Sequence, residues 1–327
     1  MGKRVDYIDV IKGIAIFGVV WRHTGCPSWL TLNFIFFLLG GFFFKRKPLK
    51  IFLFEKVRYI LVPFAFFYIT SYFFRIGMHY WNHGSLSSFH WGCLLNVLRL
   101  SARTDYLFVN IPLWFLLCFF TIQVLYYFIS YLDKRLILIL ALCCLWFKDF
   151  FFSIPTPFMI NSAFYFMGFF MIGNVVGKTW IEKLKNPHFR KISSVISLFL
   201  FAGLFVRIGG LSADMNNVVY HTKLLMAFFI MMSISSWFND KSYLSLVRFY
   251  GENSLTILGL HTLPLVVVNK FTLMLWGKCT PFMGFVQSVI VMVVMYYVIL
   301  FCNRYIPFLV GKKVVKKEQP QEAIITC

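Results

Sequence analysis

Ten stretches of this chain are long and apolar enough to cross a bilayer, which leaves one class of fold open to it: a bundle of transmembrane helices. About 17 to 25 apolar residues span a hydrocarbon core, and in the absence of water only a helix satisfies its own backbone hydrogen bonds segment by segment. The stretches fall at about 6–26, 29–46, 54–76, 110–131, 135–152, 158–178, 192–209, 221–238, 253–271 and 284–306. The bounds of the second, fifth and seventh are the least sharply marked. Of 327 residues 60% are hydrophobic and only 13% charged, with 42 phenylalanines, a balance that excludes a soluble domain. No repeat of fixed period and no soluble-type stretch interrupts the series. The chain therefore reads as one all-α polytopic membrane domain over 1–310, followed by a basic tail over 311–327. The first stretch is no cleavable signal, because it is long, carries charges and lacks a small-x-small cleavage site.

A net charge of +20 would suggest a nucleic-acid partner in a soluble protein. Here the distribution decides. With the N-terminus inside, Lys3, Arg4, Lys45, Arg46, Lys47, Lys50, Lys56, Arg58, Lys134, Arg135, Lys178, Lys183, Lys185, Arg190, Lys191, Lys241, Arg248, Lys312, Lys313, Lys316 and Lys317 fall on the cytoplasmic side. Fewer fall outside, among them Arg22, Arg75, Arg99, Arg103, Lys148, Lys270 and Lys278. This positive-inside bias places both termini in the cytoplasm and makes anionic lipid headgroups, not nucleic acid, the partner of the excess charge. The eight cysteines show no metal-like spacing. Cys26, Cys93 and Cys279 share the predicted outer side, where a disulfide is open but no pairing is singled out.

Within the first stretch stand Asp9, Lys12 and His23, where a membrane helix ordinarily carries leucine. An ionisable group at that depth costs about 2.5 to 3.5 kcal/mol even on lenient scales, so three together ask for a functional reason. Lys12 and His23 are close to three helical turns apart, on one face and about 16 Å along the axis. Asp9 lies one turn before Lys12 and is placed to pair with it. A neutral imidazole near the outer end of this helix suits the removal of a proton from a hydroxyl as it attacks a carbonyl, although an ordinary interfacial histidine fits the position too.

The loop after the second stretch carries Lys45, Arg46, Lys47 and Lys50, with Lys56 and Arg58 following. It serves orientation, and it also suits a phosphorylated ligand. The longest outer segment, about 75–110, holds His79, Trp81, His83, His90, Trp91, Arg99, Arg103 and Asp105. His79 and His83 are at metal-ligand spacing but have no carboxylate or cysteine beside them, so a membrane-surface cap or the floor of a sugar site fits better, and no metal is expected. Trp114 opens the fourth stretch where an interfacial anchor belongs. Gly251-Glu252-Asn253-Ser254 opens the ninth, with Asn253 or Ser254 as an ordinary N-cap and His261 two turns in, a second intramembrane histidine.

Taken together, these residues resemble the membrane acyltransferase-3 family, the bacterial O-acyltransferases that decorate surface polysaccharides. The resemblance covers nearly the whole chain. It rests first on a basic residue, ten residues and a histidine, here Lys12 and His23. Weaker matches are Phe36-Phe37-Leu38-Leu39-Gly40-Gly41, the run through Arg58 to Pro63, Leu113-Trp114-Phe115-Leu116, and Gly251 through Ser254 to His261. Many members carry arginine where Lys12 stands and serine where Gly40 stands. The resemblance implies a stand-alone ten-helix enzyme of the bacterial inner membrane, similar to fucose O-acetylases. It would take an acetyl group from cytoplasmic acetyl-coenzyme A and hand it to a carbohydrate hydroxyl of a surface glycan or lipid-linked precursor. On that reading Lys45, Arg46, Lys56 and Arg58 hold the coenzyme phosphates, Lys12 lines the path of the pantetheine arm and Asp9 holds Lys12. His23 is general base or transient nucleophile, and Arg103, Trp114, His261 and Glu252 attend the acceptor. A transporter or flippase of a lipid-linked sugar or other anion, with the same polar residues along its path, is the competing reading, and an assembly component without chemistry a third.

Overall fold

A computed structural model describes residues 6–24, 32–92, 94–95, 109–147, 150, 159–204, 213–238, 242–277 and 280–312, and every regular element among them is a helix. The elements are α1 (Asp6–Arg22), α2 (Phe34–Phe42), α3 (Leu49–Lys56) running through a π turn (Val57–Leu61) into α4 (Val62–His83), α5 (Trp114–Ile129), α6 (Lys134–Trp146), α7 (Ile160–Leu184), α8 (Pro187–Leu204), α9 (Ala213–Ser235), α10 (Ser245–Glu252), α11 (Ser254–Leu260), α12 (Thr262–Trp276) and α13 (Pro281–Tyr305). Five helical stretches have the length and composition to cross a membrane: Leu49–His83, Ile111–Ile129, Ile160–Leu184, Met215–Phe238 and Pro281–Tyr305. The pair α11 and α12, bent by 52° at its break, makes a sixth. Each of the ten apolar stretches contains a helix. Some are short, however, and the nine residues of α2 rise only about 14 Å.

Small residues bring the helices together, as they must where the surrounding lipid is as apolar as leucine. A Cβ on Gly41 would lie 2.0 Å from the Phe170 carbonyl oxygen, and one on Gly173 would lie 2.1 Å from that of Leu38, so α2 and α7 pack backbone to backbone. Asn174 of α7 donates to the Gly41 carbonyl (2.9 Å) and accepts from the Tyr126 hydroxyl (2.7 Å), which locks α5 to the same seam. Around it lies an aromatic core in which Phe37 stacks on Phe166 (4.4 Å between centroids) and meets Phe115 at 4.7 Å.

Polar contacts mark one end of the bundle. Asp6 of α1 pairs with Arg248 of α10 (3.3 Å), Arg46 donates to the Ser130 carbonyl at the end of α5, and Lys312 donates to Asn253. The expected N-cap at Asn253 is not formed. Its side chain makes no cap bond, donating instead to the Phe249 carbonyl (2.7 Å) while its oxygen takes Asn303 and Lys312. Cys26, Cys93, Cys279, Arg99, Arg103, Asp105, Lys148, Lys278, Lys3, Arg4, Lys241 and the tail beyond Lys312 lie outside the described residues.

Candidate active site

The site is built on α1. Gly13 and Gly251 face one another: a Cβ on Gly251 would lie 1.8 Å from the Asp9 carbonyl oxygen, and one on Gly13 would lie 2.2 Å from that of Val247. This seats α10 directly against the first turns of α1. Asp9, 4% exposed, pairs with Lys12 at 3.2 Å, as the one-turn spacing predicts. Lys12 then extends over the Phe43 ring (5.8 Å) into a cavity. At the other end of α1 the helix closes through His23 N–H to the Val20 carbonyl and Thr24 N–H to that of Trp21, which turns the His23 ring out past the last helical residue.

There it meets His261, with ring centroids 5.3 Å apart. His261 occupies the break between α11 and α12. Pro264, three residues on, has no N–H for the Leu260 carbonyl, and this is the cause of the bend. The histidine Nδ1 lies 2.8 Å from the Ile257 carbonyl oxygen and 3.1 Å from that of Leu258. Carbonyls only accept, so Nδ1 carries the proton, and Nε2 of the neutral ring is left as an acceptor. That Nε2 is buried and has no hydrogen-bond partner among the described residues. His261 itself is wholly buried, whereas His23 is open to the space beside it.

Two cavities lie end to end along the same helices. The first, about 390 Å³, is lined by Lys12, Ile16, Glu55, Lys56, Tyr59, Gln123 and Ser254, with Phe36, Phe43, Phe115, Phe119 and Leu258 among its apolar walls. The second, about 680 Å³, is lined by His23, Ser71, Arg75, His79, Asn82, His83, His90, Asn110, Thr262 and Asn269. Ile16 of α1 faces the first and His23 the second. Likewise Leu258 faces the first and Thr262 the second, so His261 stands in the wall between them.

Of the residues expected to bind phosphate, Lys56 lines the Lys12 cavity. Arg58 does not. Residues two apart on a helix point to nearly opposite sides, and Arg58 stacks on Phe308 (5.1 Å) with its Nε buried. Arg46 lies flat on Tyr131 (4.0 Å), and Lys45 is exposed on the surface. Trp114 packs on Phe166 (5.5 Å) between the cavities without lining either, while its neighbours Pro112 and Phe115 do so. Glu252 is exposed, since Gly251 takes the face turned to α1. Arg103 lies outside the described residues. Sequence reasoning missed Glu55, Tyr59, Gln123, Asn110 and Asn269. His79 and His83 stand 4.5 Å apart between centroids, and His79 Nε2 meets the Ser88 hydroxyl at 3.2 Å. No three His, Cys, Asp or Glu side chains among the described residues are grouped to hold a metal ion.

A family model described as an acyltransferase domain matches residues 5–304. The chain belongs to the acyltransferase-3 family. It is thus a membrane acyltransferase that transfers groups other than aminoacyl groups, and this membership favours the enzyme over the transporter. No curated relative and no solved structure matches it. Both cavities are walled mainly by apolar groups; the first adds Lys12, Glu55 and Lys56 to them, the second His23, Arg75 and three further histidines.

Proposed function

We propose that this chain moves an acetyl group from cytoplasmic acetyl-coenzyme A to a hydroxyl of a surface polysaccharide or its lipid-linked precursor, across the inner membrane of a bacterium. Ten membrane passages, counting the shorter helices, with both termini in the cytoplasm put the Lys12 cavity on the inner side and the His23 cavity on the outer. The observation that carries the reading is the arrangement of those cavities, which approach from opposite ends of α1 and are separated by the His23–His261 pair.

The donor's acyl-pantetheine arm occupies the Lys12 cavity, its path flanked by Lys12 and its phosphates near Lys56 at the mouth. Asp9 holds Lys12 in place. The thioester supplies an activated carbonyl. A hydroxyl of the acceptor attacks it, the carbon–oxygen bond forms, the carbon–sulfur bond breaks, and the hydroxyl proton passes to His23 and from there to the departing thiolate. His261 would contribute by orientation: its Nε2 has no partner among the described residues, and a small movement of the His23 ring, 5.3 Å away between centroids, would let it accept an N–H of that ring and leave the other His23 nitrogen as the base. Transfer of radiolabel from acetyl-coenzyme A into the glycan fraction of membranes tests the reading. Label with the wild type and none with a normally expressed His23→Ala supports it. Equal label in both removes His23 from catalysis, and none in either overturns the reading.

A further inference from the structure

Three segments meet at Asn110, in the wall of the His23 cavity. The residue precedes the Ile111–Leu113 turn that opens α5, and it is 2% exposed. Its Nδ2 spends both hydrogens, one on the Ser71 hydroxyl of α4 (2.8 Å) and one on the Gly259 carbonyl of α11 (2.8 Å). Because a carbonyl accepts only, the amide nitrogen must face Gly259, which fixes the orientation of the side chain. The amide oxygen is the group left over. Oδ1 is buried and has no partner among the described residues. A buried acceptor without a donor is costly and rare, so this one points to a bound molecule that brings a donor with it.

The setting narrows what that donor is. Gly259, which holds the amide in place, lies two residues before His261, and the His261 ring stands 5.3 Å from that of His23. Asn110 and His23 therefore line the same cavity from neighbouring places, and each asks its ligand for a hydrogen. A hydroxyl has only one. The hydroxyl that attacks the thioester gives its proton to His23 and has none left for Asn110. The donor to Oδ1 is thus a second group of the same molecule, close to the reacting one, and on a saccharide the group so placed is the adjacent hydroxyl.

We propose that Asn110 selects the acceptor: the molecule acetylated is a vicinal diol, one hydroxyl facing His23 and its neighbour donating to Asn110 Oδ1. This rests on the acyltransferase reading above, and the experiment separates the two. Wild-type membranes transferring label from acetyl-coenzyme A to glycan are challenged with cis- and trans-1,2-cyclohexanediol and with the matching 2-fluorocyclohexanols. The fluorine is close to a hydroxyl in size but cannot donate. One diol is expected to halve transfer at about tenfold lower concentration than its fluoro partner, the effect of one hydrogen bond, beyond the about twofold that a second hydroxyl gives by number. Which isomer wins assigns the relative configuration of the two hydroxyls. In Asn110→Ala the diol and its partner become equal while the KM for acetyl-coenzyme A is unchanged, whereas Ser71→Ala, which leaves Oδ1 in place, keeps the preference. An equal response of the wild type to diol and fluoro alcohol, with label still transferred, overturns the diol and leaves the acyltransferase standing, whether or not Asn110→Ala folds. A preference that survives in Asn110→Ala overturns the assignment to this residue and leaves its oxygen to water. No label from the wild type overturns both proposals.

Discussion

Two histidines meet at the end of α1, and their environments divide the work between them. His23 is open to the larger cavity, and His261 is buried behind it with its proton fixed on Nδ1 by two backbone carbonyls. His23→Ala is expected to lower acetyl transfer by about 10² to 10⁴, the usual contribution of a positioned base, without loss of expression. His261→Asn separates the two nitrogens, because the asparagine amide can still donate where Nδ1 does while the acceptor at Nε2 is gone. Transfer should fall about tenfold at unchanged thermal stability, the effect of removing the acceptor that the His23 ring would use in the reacting complex. Activity equal to the wild type in His261→Asn, measured at saturating acetyl-coenzyme A, would reduce His261 to a residue that only packs at the break between α11 and α12. The Asp9–Lys12 pair was legible from sequence because one turn of α1 separates the two, where spacing alone predicts proximity. The facing of His23 and His261 was not, since no local rule relates two distant segments. Asn110 was missed because an asparagine before Ile111-Pro112 looks like any loop residue until its amide is seen spent on Ser71 and Gly259.

The elements explain why some charges reach the cavities and others do not. Pro63 cannot donate to the Tyr59 carbonyl, and the chain responds with a π turn in which Val62 N–H bonds to Val57, five residues back. Along this segment Glu55, Lys56, Tyr59 and Ile60 share the cavity face while Arg58 turns to Phe308. Lys56→Ala should therefore raise the KM for acetyl-coenzyme A about tenfold, and Arg58→Ala should lower the unfolding temperature instead, leaving that KM in place. The reverse pattern in paired kinetics and thermal melts would restore Arg58 to the phosphate site. Helix α10 carries a second test. Gly251→Val puts side-chain atoms where the Asp9 carbonyl already stands, and separating α1 from α10 is expected to cost about 1 to 3 kcal/mol, read as a lower thermal midpoint in detergent. The apolar stretches announced where helices lie because composition is enough for that. The break at His261 was written in the sequence only as Pro264, and the nine-residue length of α2 not at all, since flanking apolar residues can extend a stretch without extending its helix.

At the scale of the molecule, function depends on sidedness. The helices carry the Lys12 cavity toward one end and the His23 cavity toward the other, with a buried histidine in the wall between them. A soluble transferase brings donor and acceptor into one cleft from one solvent; on the proposed reading each approaches from its own compartment, and only the reacting atoms need meet. On the proposed topology the Lys12 end faces the cytoplasm, so an impermeant donor would work only from that face. Sealed vesicles of both orientations test this directly. Radiolabelled acetyl-coenzyme A added outside is expected to label glycan in inverted vesicles, whose cytoplasmic face is outward, and to leave right-side-out vesicles unlabelled until detergent opens them. Equal labelling of the two before detergent would place donor and acceptor on the same side, and the two cavities would then be separate features and not the halves of one path. Labelling confined to the right-side-out vesicles would invert the chain, moving the coenzyme to the His23 cavity and requiring the positive-inside bias to be read as ligand chemistry alone.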